Sequence, residues 1–204
     1  MMIAPETISA SRTRFDDARR AMIDSQLRTS GVNDPAVLAR MGSVPREEFL
    51  PEGQRAAAYA DRAQRLPEGG ALPAPLFHGM LLAEARPADA DRVIVVDGGS
   101  GYLPALVAPM VAAVETIRAA DAAAGKIRDK AVTLLLIDGA VEHLPEALVK
   151  KLPEGVRVVT GLVERGITRL AAGRKAGSAL GLVPLAEIGA PRLAAFDREA
   201  GWSF

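Results

Sequence analysis

The run Arg92-Val93-Ile94-Val95-Val96-Asp97 constrains this chain more than any other stretch. Its four central residues are β-branched and apolar, with no polar residue among them. A strand with one wet face alternates apolar and polar side chains, whereas a strand covered on both faces has no need to. The run passes at once into Gly98-Gly99-Ser100-Gly101 and then into Tyr102 to Met110, which reads as a helix. Buried strand, tight glycine turn and helix open a βαβ unit, which commits the chain to a parallel sheet with helices on its faces. The same commitment fixes where a ligand would sit, because open sheets of this kind bind at the carboxyl ends of their strands.

The rest of the chain extends that unit. Leu76 to Ala85 reads as a helix, Ala113 to Ile117 as a second strand and Ala119 to Lys130 as a helix. Val132 to Ile137 gives a third strand, Leu144 to Leu152 a helix and Val156 to Leu162 a fourth strand. Ile167 to Ala172 and Leu180 to Ile188 are two more strands with no helix between them. The basic Gly173-Arg174-Lys175-Ala176-Gly177 is read as their turn, so they form an antiparallel hairpin at one edge. Upstream, Phe15, Ala18, Met22 and Gln26 share one helical stripe that Gly31 closes. Asp34-Pro35 is an N-cap followed by proline at the first helical position, opening Ala36 to Met41. Pro45 opens a short helix that ends at Pro51. From Asp61 to Pro75 runs a Gly- and Pro-rich loop, long enough to need a reason.

Composition removes several chemistries. There is no cysteine, so disulfides, thiolate metal sites and cysteine nucleophiles are excluded, and two histidines leave little for a metal centre. The 25 basic and 25 acidic residues balance, which argues against a partner held by phosphate neutralisation, so no nucleic acid is expected. Met1 to Arg14 lacks the apolar core of a secretory signal, and Pro104 and Pro109 interrupt Leu103 to Val114, the most apolar stretch. No membrane association is expected, and a cytoplasmic location is the default.

The glycine loop is the main chemical candidate. Its glycines permit close backbone approach, and the following helix offers free N–H groups. Pro104 stands where the dinucleotide pattern G-x-G-x-x-G would place its third glycine, so a nucleotide-binding oxidoreductase fits poorly. The loop is either a cofactor cradle or a structural turn. Glu115 and Asp121 are the acids nearest the place where a ribose would need one; both also fit as solvated surface acids, and Arg118 at the strand tip has the wrong charge. Asp138-Gly139 closes the third strand and points into the same crevice, facing a cationic or amino group or capping the next segment. His78 and His143 are each structural or catalytic. The tail from Phe196 to Phe204, with Trp202, is read as packing on the sheet or on a partner.

Four stretches resemble one family, the protein-L-isoaspartate (D-aspartate) O-methyltransferases, which are class I S-adenosylmethionine enzymes. They are Met22 to Val32; Val44-Pro45-Arg46-Glu47-Glu48-Phe49-Leu50-Pro51 with Ala58-Tyr59-Ala60-Asp61; Val95 to Tyr102; and Gly139 to Leu152 with Gly155 to Val159. Together the resemblance spans Phe15 to Phe204. Where the family carries T-I-S-x-P, this chain has Ala71-Leu72-Pro73-Ala74-Pro75, and the first glycine of the family's G-x-G-x-G loop is Asp97.

The resemblance implies a Rossmann-like three-layer α/β sandwich with a mostly parallel sheet and an antiparallel C-terminal hairpin. The family order is 3-2-1-4-5-7-6. Between Ile117 and Val132 there is room for one helix rather than helix, strand and helix, so one edge strand is expected to be missing, leaving 2-1-4-5-7-6. Residues 1–74 become an N-terminal helical extension with a substrate-side loop, and 75–204 the Rossmann-like methyltransferase domain. S-adenosylmethionine is the implied cofactor, held by Asp97, Gly98, Gly99, Ser100, Gly101, Tyr102, Glu115 and Asp138. Asp61, Ala74, Pro75 and His78 fall on the substrate side. The implied substrate is a protein or peptide carrying isoaspartyl residues, and a homodimer is compatible. A carboxylate nucleophile needs orientation rather than a base, so no catalytic residue and no metal are assigned. Two readings follow: an active carboxyl methyltransferase, or a catalytically impaired relative that keeps the fold as a binding or interaction protein.

Overall fold

The computed structural model of the protein describes residues 5–198. Helix α1 (Pro5–Met22) continues through a π turn and a 3-10 turn to Gly31, which closes the segment in the left-handed region at φ 89°. Helix α2 (Pro35–Ser43) starts as expected: Asp34 Oδ1 accepts from the amides of Ala36 at 2.8 Å and Val37 at 3.2 Å. Two 3-10 turns over Arg46–Phe49 and Glu52–Ala57 lead into a small hairpin of β1 (Gln64–Arg65) and β2 (Ala71–Leu72). Then come α3 (Pro75–Ala85), β3 (Arg92–Asp97), α4 (Tyr102–Val107), β4 (Ala113–Arg118) and α5 (Ala119–Ala123). β5 (Leu134–Val141), α6 (Glu146–Val149), β6 (Arg157–Glu164), β7 (Ile167–Ala176) and β8 (Ala179–Glu187) complete the order.

The main sheet has the order β4-β3-β5-β6-β7-β8. β4, β3, β5 and β6 are parallel, and β7 and β8 are antiparallel to their neighbours. The central run of β3 shows why its sequence has no polar alternation. Val93 and Val95 enter one apolar cluster with Met22, Leu27, Met41, Phe77 and Leu81, while Ile94 and Val96 enter a second with Leu135, Ile137, Leu148 and Phe196. Each such buried side chain contributes about 1.5–3 kcal/mol, so both faces drive the fold. The first cluster also joins the N-terminal helices to the sheet through α3, which is buried nearly all round.

Four sequence expectations need correction. The helix expected over Ala119 to Lys130 stops at Ala123, because the chain from there to β5 is used to return along the sheet edge. This leaves β4 as the edge strand, as the missing strand-and-helix pair requires. β5 does not end at Asp138 but runs to Val141, with a register shift against β6 between Leu136 and Ala140. The last strands form a plain meander, with β7 beside β6 and β8 outermost, rather than the 7-6 arrangement. The cause is local: Arg165 (φ 52°) and Gly166 (φ 80°) give the two positive dihedrals of a type I′ turn, which folds β7 directly back on β6. Finally, Gly173 to Ala176 lie inside β7, and the turn to β8 is at Gly177, φ 60°, and Ser178. No helix among the described residues is long and apolar enough to cross a membrane. Trp202 lies outside the described residues.

Candidate functional site

β3 and β5 are neighbours in the sheet, in register from Val93 to Val96, and their carboxyl ends bring Asp97 and Asp138 together. Beyond β3 the chain turns sharply. Asp97 Oδ1 accepts from the Gly101 amide at 3.0 Å, and Ser100 Oγ accepts from the Tyr102 amide at 3.2 Å. Gly101 adopts φ 73°, which releases the chain into α4. These two bonds are local ones that the sequence Asp-Gly-Gly-Ser-Gly can supply.

Behind the loop lies a chain of buried polar groups. Asp138 is fully buried, and its Oδ1 stands 2.8 Å from His78 Nε2. His78, also fully buried, has Nδ1 3.1 Å from Arg46 Nη1. A guanidinium can only donate, so Nδ1 accepts and the ring proton sits on Nε2, donating to Asp138. Burial holds the His78 imidazole below its usual range, against the pull of Asp138, so the ring is neutral between a cation and an anion. Arg46 is fully buried too. Its Nε donates to the Ala58 carbonyl at 2.7 Å, its Nη2 donates to the Pro73 carbonyl, and its guanidinium lies 4.9 Å from the centroid of the Tyr102 ring. Tyr102 in turn packs edge-to-face on His78 and Phe49. Arg46 is pinned from its other side as well, since its amide donates to the Tyr59 hydroxyl, which bonds Glu47 and Arg19.

The β1–β2 hairpin covers this loop. The Ala71 amide donates to the Gly98 carbonyl at 2.9 Å, and Ala71 forms a β-bridge with Gly99. The approach needs glycine on both sides: a Cβ on Gly70 would collide with the Gly98 carbonyl, and one on Gly98 with the Asp138 carbonyl. On its other side the hairpin borders a cleft of about 1080 Å³, lined also by Asp61, Arg62, Ala74 and Leu76 and closed by residues 187–193.

Most of the expected residues therefore assemble. Asp97, Gly98, Gly99, Ser100, Gly101, Tyr102, Asp138 and His78 form one cluster. Asp61 and Ala74 line the neighbouring cleft, and Pro75 is buried at the start of α3. Glu115 does not join them. Its carboxylate accepts from the amides of Arg128 at 3.1 Å and Asp129 at 2.8 Å and pairs with Arg128 Nε, because the shortened connection to β5 needs a tie there. Asp121 is likewise engaged, by Arg118 and Lys126, so no acid stands free at the tip of β4. Arg118 is exposed and does not fill the crevice. His143 Nδ1 meets the Phe196 carbonyl oxygen at 3.1 Å, a structural contact. The residue that sequence reasoning passed over is Arg46; its place between Pro45 and Phe49 was the one available sign.

The sequence model of the protein-L-isoaspartate(D-aspartate) O-methyltransferases matches residues 17–131, more than half of the chain. The chain belongs to this family. A protein-L-isoaspartate O-methyltransferase of Koribacter versatilis is 32% identical over 175 residues, covering 74% of this chain and 79% of that one. A Roseiflexus relative of the same name is 37% identical over 121 residues, 59% of this chain and 53% of its own. The match to that relative spans about half of its length. Among solved structures, a putative protein-L-isoaspartate O-methyltransferase of Plasmodium falciparum in complex with S-adenosyl-L-homocysteine superposes with a TM-score of 0.67 at 16% identity, over 89% of this chain and 98% of that one. A second structure, titled protein-L-isoaspartate O-methyltransferase, gives 0.68 at 16% identity, over 86% of this chain and 66% of its own. At that identity the structures establish the shared Rossmann-like fold. The family match ends at residue 131, so the buried Asp138 lies beyond it.

Proposed function

We propose that this chain transfers the methyl group of S-adenosylmethionine to carboxyl groups of isoaspartyl residues in damaged proteins. The observation that carries the reading is family membership over residues 17–131, with the family's glycine loop at the carboxyl end of β3. The residues fit the donor's amino-acid and sulfonium end. Glycines 98, 99 and 101 allow close backbone approach, Asp97 is half-buried, and Asp138 holds a buried Oδ2 with no hydrogen-bond partner.

When bound, S-adenosylmethionine supplies an electrophilic methyl group. The work left to the chain is orientation and exclusion of water, since a carboxylate nucleophile needs no proton removed. Asp97 and the glycine loop would hold the donor. Asp61, Ala74 and the cleft wall receive the isoaspartyl peptide, with residues 1–74 on the substrate side and 75–204 on the donor side. The Gly69 to Ala71 backbone stands between cleft and loop. We place the protein in the cytoplasm, acting on protein substrates, and a homodimer is compatible with this arrangement.

The test is transfer of labelled methyl to a synthetic isoaspartyl peptide, with its normal aspartyl counterpart as control. Label on the isoaspartyl peptide alone supports the reading. A folded, monodisperse protein that labels neither peptide overturns it.

A further inference from the structure

The carboxyl end of the sheet holds more negative charge than it compensates. Asp97 and Asp138 flank Gly98, one half-buried and one fully buried. The cation nearest to Asp138 along its hydrogen bonds is Arg46, but a neutral imidazole stands between them: 3.1 Å from guanidinium to ring and 2.8 Å from ring to carboxylate. Oδ2 of Asp138 has no donor at all. Arg118, the cross-strand partner of Asp97, turns away to Asp121 and is 88% exposed. Among the described residues no Lys or Arg forms an ion pair with either carboxylate. Burial raises the Asp97 carboxyl above its usual range, and the nearby Asp138 carboxylate adds to that against the pull of the Gly101 amide.

Buried acceptors without donors call for a partner, and an uncompensated charge in a low-dielectric site acts over a longer range than one in water. We propose that Asp97, backed by Asp138 behind Gly98, makes this site selective for positively charged ligands, so that it prefers the sulfonium donor to its neutral thioether product. Asp97 makes the contact, Asp138 supplies field, and the His78–Arg46 pair fixes how Asp138 points. The inference rests on the reading that the loop holds S-adenosylmethionine. It adds what sets the preference: charge, supplied by an aspartate where the family's loop pattern begins with glycine. The same charge disfavours phosphate-bearing ligands.

The test is calorimetric titration with two matched pairs, S-adenosylmethionine with S-adenosylhomocysteine and S-methylmethionine with methionine. Each pair differs by one methyl group and one positive charge. Asp97→Asn keeps an acceptor for the Gly101 amide, and Asp138→Asn keeps one for His78. The proposal expects the charged member of each pair to bind about tenfold or more tighter. Asp97→Asn should weaken the charged ligands about tenfold and Asp138→Asn about threefold, with the neutral ones changed less than about threefold. Equal binding within the pairs, or equal losses for charged and neutral ligands, overturns it. Binding of S-methylmethionine that Asp97→Asn abolishes, without binding of the adenosyl pair, would sink the methyl-transfer reading and keep the cation site. No binding by any of the four compounds overturns both.

Discussion

The two ends of the parallel sheet treat their charges in opposite ways. At the amino ends, Asp91 accepts from the Ala88 amide at 2.9 Å, the Thr133 hydroxyl at 2.6 Å and Arg157 at 2.7 Å. Burial pushes its carboxyl up, but these donors together outweigh burial and hold it below the usual range. Glu115 is held down in the same way, with burial outweighed by the Asp129 and Arg128 amides and the Arg128 side chain. Asp129 pairs with Arg92. At the carboxyl ends, Asp97 and Asp138 have no such cation, and one buried oxygen goes without a donor. Charges at the amino ends tie strands and connections together. Asp97 and Asp138, at the carboxyl ends of β3 and β5, have no ion pair with Lys or Arg, a pattern that clusters at functional sites.

The largest expected effect breaks the carboxyl end. Arg46→Met removes donors from the Ala58 and Pro73 carbonyls and from His78, and leaves Asp138 facing a ring with no cation behind it. Denaturant unfolding should show a loss of about 3–5 kcal/mol, the range for breaking a buried charge network. A loss below about 1 kcal/mol would mean that Arg46 is not the anchor described.

Gly70→Ala comes next. The new Cβ meets the Gly98 carbonyl from a backbone at φ 80°, so the hairpin leaves the loop or strains, at about 1–3 kcal/mol. Amide exchange from Leu66 to Ala71 should quicken, while exchange in β3 and β5 stays slow. Unchanged protection in the hairpin would contradict the contact.

A pair of substitutions gives opposite signs at the two ends. Glu115→Gln weakens charge-assisted bonds and should lower stability by about 1–2 kcal/mol. Asp97→Asn relieves repulsion from Asp138 and should raise stability by about 0.5–1 kcal/mol. Two losses would remove the distinction between the ends.

The ends should also separate by pH. The unfolded imidazole of His78 takes up a proton near pH 6.5, and the folded one only at lower pH, so stability falls as pH drops below about 6.5. Asp91 and Glu115 are depressed carboxyls, so their contribution is present above about pH 4 and lost as pH falls through their folded values. Asp97, raised by burial, acts in the reverse sense over the acid range. In His78→Gln the slope just below about pH 6.5 should disappear and the acid loss persist.

The sheet was legible because β3, β5 and β6 write their burial directly in apolar runs such as Val93 to Val96. The glycine loop was legible because Asp97, Ser100 and Gly101 bond only within their own turn. The strand shortage between Ile117 and Val132 could be read by counting residues. Arg46, His78 and Asp138 could not be joined from sequence, since they lie 32 and 60 residues apart and meet only after α3 packs between the sheet and the N-terminal segment. Glu115 misled for the same reason: its partners at Arg128 and Asp129 exist only because the connection to β5 is short. The meander of β7 and β8 hung on two positive dihedrals at Arg165 and Gly166, which family order alone does not reveal.

The carboxyl end of this sheet is proposed to hold a cationic methyl donor at its uncompensated carboxylates. Calorimetric titration of S-adenosylmethionine into the wild-type chain tests it most directly. One-to-one binding in the micromolar range, weakened by Asp97→Asn and unaffected by Glu115→Gln, is the predicted result. No heat at millimolar ligand, or equal losses from Asp97→Asn and Glu115→Gln, would contradict it.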